Sequence, residues 1–149
     1  MPMIDVSGID PQHHDAVDAL AAQMREHGVR RDEPVRSTFG LLGDRWSTLI
    51  VLVLGIGTWR HAELRRVLGR LGSEERISQR VMTLKLRTLE RDGFVCRHVT
   101  QDVPPRVSYS LTPLGEALLA EVHRLINWVN ERADTVRLAR AAYDDAMED

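Results

Sequence analysis

Residues 77–111 read ISQRVMTLKLRTLERDGFVCRHVTQDVPPRVSYSL, and the interpretation of this stretch decides the fold. Ser78 is suited to cap a helix, because a serine oxygen at that position accepts a hydrogen bond from an unsatisfied first-turn N–H. From Gln79 to about Arg91, Met82, Leu86 and Leu89 recur at helical spacing and define an inward face, while Arg76, Arg80, Thr83, Leu84 and Arg87 fall on the other side. Gly93 supplies a left-handed stop. FVCRHVT and RVSYSL are then two β-rich runs around the proline-containing turn QDVPP, the pattern of a hairpin.

Upstream, Leu64, Val67 and Leu68 share one side of a helix running roughly from Arg60 to Leu68, and GRLGSEER (69–76) follows as a polar turn. Before it, Asp44 is suited to cap a helix in which Trp46, Leu49, Ile50, Val53 and Leu54 line one face. Val51 and Leu52 fill most of the rest, so this helix is expected to be buried. A short helix opens at Pro34, turns Val35, Phe39 and Leu42 inward and stops at Gly43. Asp10 and Pro11 start an amphipathic N-terminal helix carrying Val17, Leu20, Ala21 and Met24, which Gly28 ends.

Downstream, Thr112 and Pro113 are a cap and a first helical residue for one long final helix. Its apolar residues Leu119, Val122, Ile126, Val129, Ala133 and Val136 alternate steps of three and four, with Leu118 and Leu125 widening the stripe. A stripe of that length exceeds what a small domain covers alone, which predicts an isologous contact with a second copy. Val17, Leu20 and Met24 are expected to join it, with Trp128 nearby but off the stripe.

With 149 residues, 43% of them hydrophobic and 28% charged, the chain has the size and balance of one globular unit. Cys96 is the single cysteine, so no internal disulfide forms and no cysteine array holds zinc; it reads as a small strand residue. MPMIDVSGID lacks the pattern of a signal peptide, and the longest apolar run, Leu49 to Leu54, is far short of the ~20 residues that span a bilayer. The expected location is the cytoplasm, without a membrane partner.

The six histidines show no metal-ligand spacing: His13 and His14 are adjacent and point apart, and His27, His61, His98 and His123 are scattered. No Ser/His/Asp order, phosphate-cradling glycine loop or HExxH helix is present, so no catalytic residue, metal or cofactor is expected.

The net charge of −2 argues against a polyanionic partner until its distribution is considered. Between Arg60 and Ser110, eleven Lys and Arg stand against six Asp and Glu, whereas the flanks are acidic and end in YDDAMED. The positive field is thus confined to the segment that holds the basic helix face and the hairpin. Three helices followed by a hairpin is the layout of a winged helix-turn-helix, whose third helix enters the major groove. The expected fold is mainly α with a small β-hairpin, extended by N- and C-terminal dimerisation helices.

Between about Pro34 and Trp128 the chain resembles the HxlR family of winged-helix regulators, relatives of the MarR group. The resemblance lies in LLGDRWSTLIVLVL (41–54), RHAELRRVL (60–68), ISQRVMTLKLRTLERDGFVCR (77–97) and VPPRVSYSLTPLGEALL (103–119). It implies that Ser78, Gln79, Arg80, Thr83 and Arg87, with Arg76 beside them, lie at a DNA interface, and that Arg97 and Arg106 belong to the wing. His61 stands where the family usually has an aromatic residue, and the turn 69–76 is longer than usual. Members that sense thiol stress carry a cysteine before the proline that opens the second helix; here Glu33 precedes Pro34, so that switch is absent.

The expected organisation is an N-terminal arm and helix (1–33), a DNA-binding domain (34–111) and a C-terminal dimerisation helix with an acidic tail (112–149). The expected function is a homodimeric, sequence-specific transcriptional regulator on a palindromic operator, with a recognition helix at about 78–91 and a wing at 94–111. The alternative is a winged-helix module for protein contacts. A small apolar effector between the dimer helices and the winged domain is an extension that no residue cluster identifies.

Overall fold

The computed structural model describes residues 4–72 and 76–148. The chain divides into two compact units, one ending at Asp44 and one beginning at Arg45.

In the first unit Asp10 accepts a hydrogen bond from the Gln12 amide and starts a single 3-10 turn, Pro11–His13, which runs into α1 (His14–His27). Gly28 ends α1 with φ +93, a conformation that favours glycine, and a Cβ there would overlap the Glu33 side chain. α1 buries none of its residues; Leu20 and Met24 remain exposed. Pro34 opens α2 (Pro34–Leu42) as expected, but its apolar face does not turn inward. Leu41 is its buried residue, whereas Phe39 is 71% exposed and lies with Pro34, Val35, Thr38 and Leu42 around an open apolar depression of about 340 Å³. Helical spacing correctly groups Val35, Phe39 and Leu42 on one side. What covers that side is a tertiary matter.

The second unit is built on α3 (Ser47–Leu54), whose Ile50, Val51, Val53 and Leu54 are buried. α3 starts three residues after Asp44, with Trp46 at the cap position. The Trp59 indole N–H donates to the Val53 carbonyl at 2.9 Å, tying the end of α3 to β1 (Trp59–Arg60). α4 (His61–Leu71) buries Leu64 and Leu68 and runs three residues past the expected end. The expected 69–76 turn is shortened accordingly, and its positions 73–75 lie outside the described residues.

α5 (Gln79–Arg91) follows the expected reading closely. The Ser78 hydroxyl accepts from the Val81 amide, Met82, Leu86 and Leu89 are buried, and Gly93 has φ +84. β2 (Val95–Val99) and β3 (Val107–Leu111) form the antiparallel wing, with Arg97 opposite Tyr109 and half-buried Cys96 opposite Ser110. The sheet has three strands in the order β1-β3-β2, because Trp59 and Arg60 pair with Tyr109 and Ser108. That first strand, two residues long, is absent from the hairpin reading.

α6 (Pro113–Glu131) is capped by Thr112, whose hydroxyl accepts from the Gly115 amide and donates to the Gly93 carbonyl. The expected single long helix is broken at Arg132 (φ −116, ψ 9), and α7 (Ala133–Glu148) follows; the acidic YDDAME stretch is helical. Leu119 and Val122 are buried in the unit's own core, Leu119 against Gly55 of the α3 terminus, so these two are not free to face a second copy. Ile126 and Ala133 are half-buried, while Leu125, Trp128, Val129 and Val136 are exposed.

Candidate nucleic-acid interface

Burial of Met82, Leu86 and Leu89 fixes the rotation of α5 about its axis. Gln79, Arg80, Thr83, Leu84 and Arg87 therefore project from the opposite face and line a depression of about 600 Å³. Leu84 is half-exposed among these polar groups, a placement suited to touching a thymine methyl. Ser78 is exposed as well, with its oxygen already engaged as the cap.

β2 and β3 close one flank of this face. Gln79, Thr83, Arg87 and Glu90 from α5 face Arg97, Val107 and Tyr109 from the wing across a groove of about 400 Å³, with His61 from α4 at its edge. Of the residues expected at the interface, the structure thus gathers Gln79, Thr83, Arg87 and Arg97 around one groove and Arg80 on the adjoining side. Arg106 stands apart, at the base of the wing turn, where its amide donates to the Thr100 hydroxyl and its carbonyl accepts from the Thr100 amide. Among the described residues no carboxylate lies within ion-pair distance of Arg80, Arg87, Arg97 or Arg106, so these guanidinium groups are not neutralised by Glu90 or Asp92.

Arg76 belongs to a second basic surface. Arg65, Arg66 and Arg70 of α4 surround a depression of about 500 Å³ together with Arg76, over a floor of Ala62, Gly69 and Ile77. Positions 62, 65, 66, 69 and 70 share one helical stripe, a periodicity present in the sequence that a charge count over the segment does not isolate. Arg65 also donates from Nε to the Ile77 carbonyl at 3.3 Å, bracing the start of α5 against α4.

His61 couples the groove to the reading face. Its Nε2 lies 3.3 Å from the Thr83 hydroxyl, and its ring is tilted against Tyr109 at 6.1 Å between centroids. Burial, and then the neighbouring Arg65 guanidinium, hold its imidazole below the usual histidine pKa.

A helix pair braced at its turn, an outward polar face on the second helix and a hairpin beside it define a winged helix-turn-helix protein. Comparison with known proteins gives the family. Residues 41–137 match the family described as HxlR-like helix-turn-helix. The HTH-type transcriptional regulator YtfH of Escherichia coli is 36% identical over 112 residues, covering 74% of this chain and 84% of that protein. The solved structure of the transcriptional regulator YtfH from Salmonella typhimurium superposes with a TM-score of 0.60 at 35% identity, covering 75% of this chain and 95% of that one. A MarR-family transcriptional regulator from Enterococcus faecalis V583 superposes with a TM-score of 0.55 at 28% identity, covering 89% and 97% of the two chains. This chain belongs to the HxlR family of helix-turn-helix transcriptional regulators and is not an enzyme.

Proposed function

We propose that this regulator binds duplex DNA as a homodimer at an approximately palindromic operator, with α5 in the major groove and the wing along the backbone. The observation that carries the reading is the face formed by Gln79, Arg80, Thr83 and Arg87, continuous with Arg97 and, among the described residues, without pairing carboxylates. Arginine and glutamine supply the donor geometry that reads base edges, and arginines at the margins neutralise phosphates and fix register. Arg106 at the wing turn, and Arg65, Arg66, Arg70 and Arg76 around the α4 depression, are in this reading phosphate contacts flanking the reading helix.

The dimer reading is supported by the unmatched apolar faces of α1, α2, α6 and α7. Leu20, Met24, Phe39, Leu125, Trp128, Val129 and Val136 are each more than two-fifths exposed in the single chain. A two-fold dimer places two reading helices about one DNA turn, ~10 bp, or a multiple of it apart. Among the described residues no single helix is long and apolar enough to cross a membrane, and we place the protein in the cytoplasm with its DNA.

The test is selection from a random duplex library by the purified chain. Enrichment of a two-fold symmetric sequence is expected. Absence of any enriched sequence, together with salt-sensitive docking to an acidic protein, would replace DNA reading by the protein-contact alternative.

A further inference from the structure

We propose that His61 is a specificity-positioning residue of the DNA interface, which sets through its Nε2 the direction of the Thr83 hydroxyl and thereby makes the base read by Thr83 depend on the proton held by His61. The inference rests on the DNA-reading role of α5 and adds a residue that touches that role only through Thr83.

The geometry supplies the mechanism. Thr83 is half-buried on the reading face, lining both the depression shared with Arg80 and the groove shared with the wing. Its hydroxyl can donate one hydrogen and accept others, so the partner on one side dictates what it offers on the other. The His61 Nε2, 3.3 Å away, is that partner. An imidazolium has only donors, so protonated His61 must give its Nε2 hydrogen to the Thr83 oxygen. The Thr83 hydrogen is then free for an acceptor such as guanine O6 or N7, or thymine O4. Neutral His61 with its hydrogen on Nδ1 takes the Thr83 hydrogen instead. Thr83 then presents only acceptor capacity, suited to adenine N6 or cytosine N4.

The charges around His61 set the direction of the pH dependence. On its own helix stands Arg65; α5 contributes Arg87 and Glu90, β2 contributes Arg97, and β3 contributes Tyr109. In the free protein burial and Arg65 favour the neutral ring. A DNA phosphate backbone laid along these arginines brings negative potential and favours the charged ring, so binding takes up a proton. The added affinity is fully present below the free-protein pKa and is lost as pH rises through the higher pKa of the complex. Each unit separating the two appears as about a tenfold difference in affinity per half-site, and so about a hundredfold for a dimer engaging both, between the acidic and alkaline ends.

The probe is the duplex enriched by the wild-type chain and its single-base-pair variants, titrated by fluorescence anisotropy at about pH 5.5 and about pH 8, the range in which histidine changes charge. The wild-type dimer should bind the enriched duplex roughly a hundredfold more tightly at the acidic end, if the complex raises the pKa of each of its two His61 residues by about one unit. Its preferred base at one position of each half-site should also change. His61→Phe, which fills the same space with an uncharged ring, should abolish both effects while still binding. Thr83→Val should keep the affinity change and lose the base-preference change. His98→Gln, in the wing but bonded to Ser110, should leave both intact. A base preference that is independent of pH in the wild type, or a pH-dependent preference that persists in His61→Phe, overturns the proposal. Failure to enrich any duplex at all would instead overturn DNA reading itself.

Discussion

Arg80 and Arg106 are both exposed arginines without a partnering carboxylate among the described residues, yet their settings differ. Arg80 sits on the α5 face among Gln79, Thr83 and Leu84, where in the proposed complex a guanidinium reaches base edges; Arg106 sits at the foot of the wing turn, away from that face. Arg80→Ala is expected to cost about 1–3 kcal/mol of operator binding and to relax preference at one base pair. Arg106→Ala is expected to weaken all sequences alike and to reduce the slope of log K against log salt by about 0.9 per half-site, about 1.8 for the dimer. Gel-shift titrations at several salt concentrations separate the two; an unchanged Arg80→Ala affinity would remove Arg80 from the reading face. The residue types and their helical face were legible in the sequence because Met82, Leu86 and Leu89 fix the opposite side. The His61–Thr83 pair was not, since 22 positions separate the partners and only the packing of α4 on α5 brings them together.

At the scale of elements, close approaches carry the energetics. The start of α6 crosses the end of α5 so tightly that a Cβ on Gly115 would overlap the Phe94 carbonyl oxygen, which itself accepts from the Thr112 amide at 3.0 Å. Gly115→Ala should therefore destabilise the fold by about 1–3 kcal/mol, the usual range for forced overpacking, despite alanine's better helix propensity. Gly69→Ala in α4 meets open space and should stabilise by about 0.5–1 kcal/mol. Chemical denaturation of both variants checks the contrast, and equal shifts of the same sign would refute it. Ser78→Ala removes the α5 cap and should cost about 0.5–2 kcal/mol by the same measurement. Caps at Asp10, Ser78 and Thr112 were readable because capping is local chemistry. β1 was missed because two residues carry no alternation to detect. Nor did the periodicity of the last stretch reveal the break at Arg132, since the apolar spacing continues through it to Ala133 and Val136.

For the whole molecule, the decisive feature is apolar surface that one chain leaves uncovered. Leu125 and Val129 lie one helical turn apart on α6 and are 55% and 45% exposed, beyond the point where Leu119 and Val122 enter the core. Replacing both by Glu should change stability little, because neither is buried. On the proposed homodimer, it should shift the protein from dimer to monomer in analytical ultracentrifugation, with operator affinity falling about 10²–10⁴-fold as the two half-sites cease to be read together. A variant that stays dimeric would assign these faces to something other than self-association.

The amino-acid sequence by itself determined most of the helical segments, the polar face of α5 and the wing, because periodicity, caps and turn residues act over a few positions, and its resemblance to known sequences pointed to the family. Tertiary structure alone decided that Leu119 and Val122 pack inward while Phe39 does not, that Trp59 and Arg60 complete the sheet, and that His61 meets Thr83. Periodicity groups residues on a face; only the close packing of distant elements determines what that face meets.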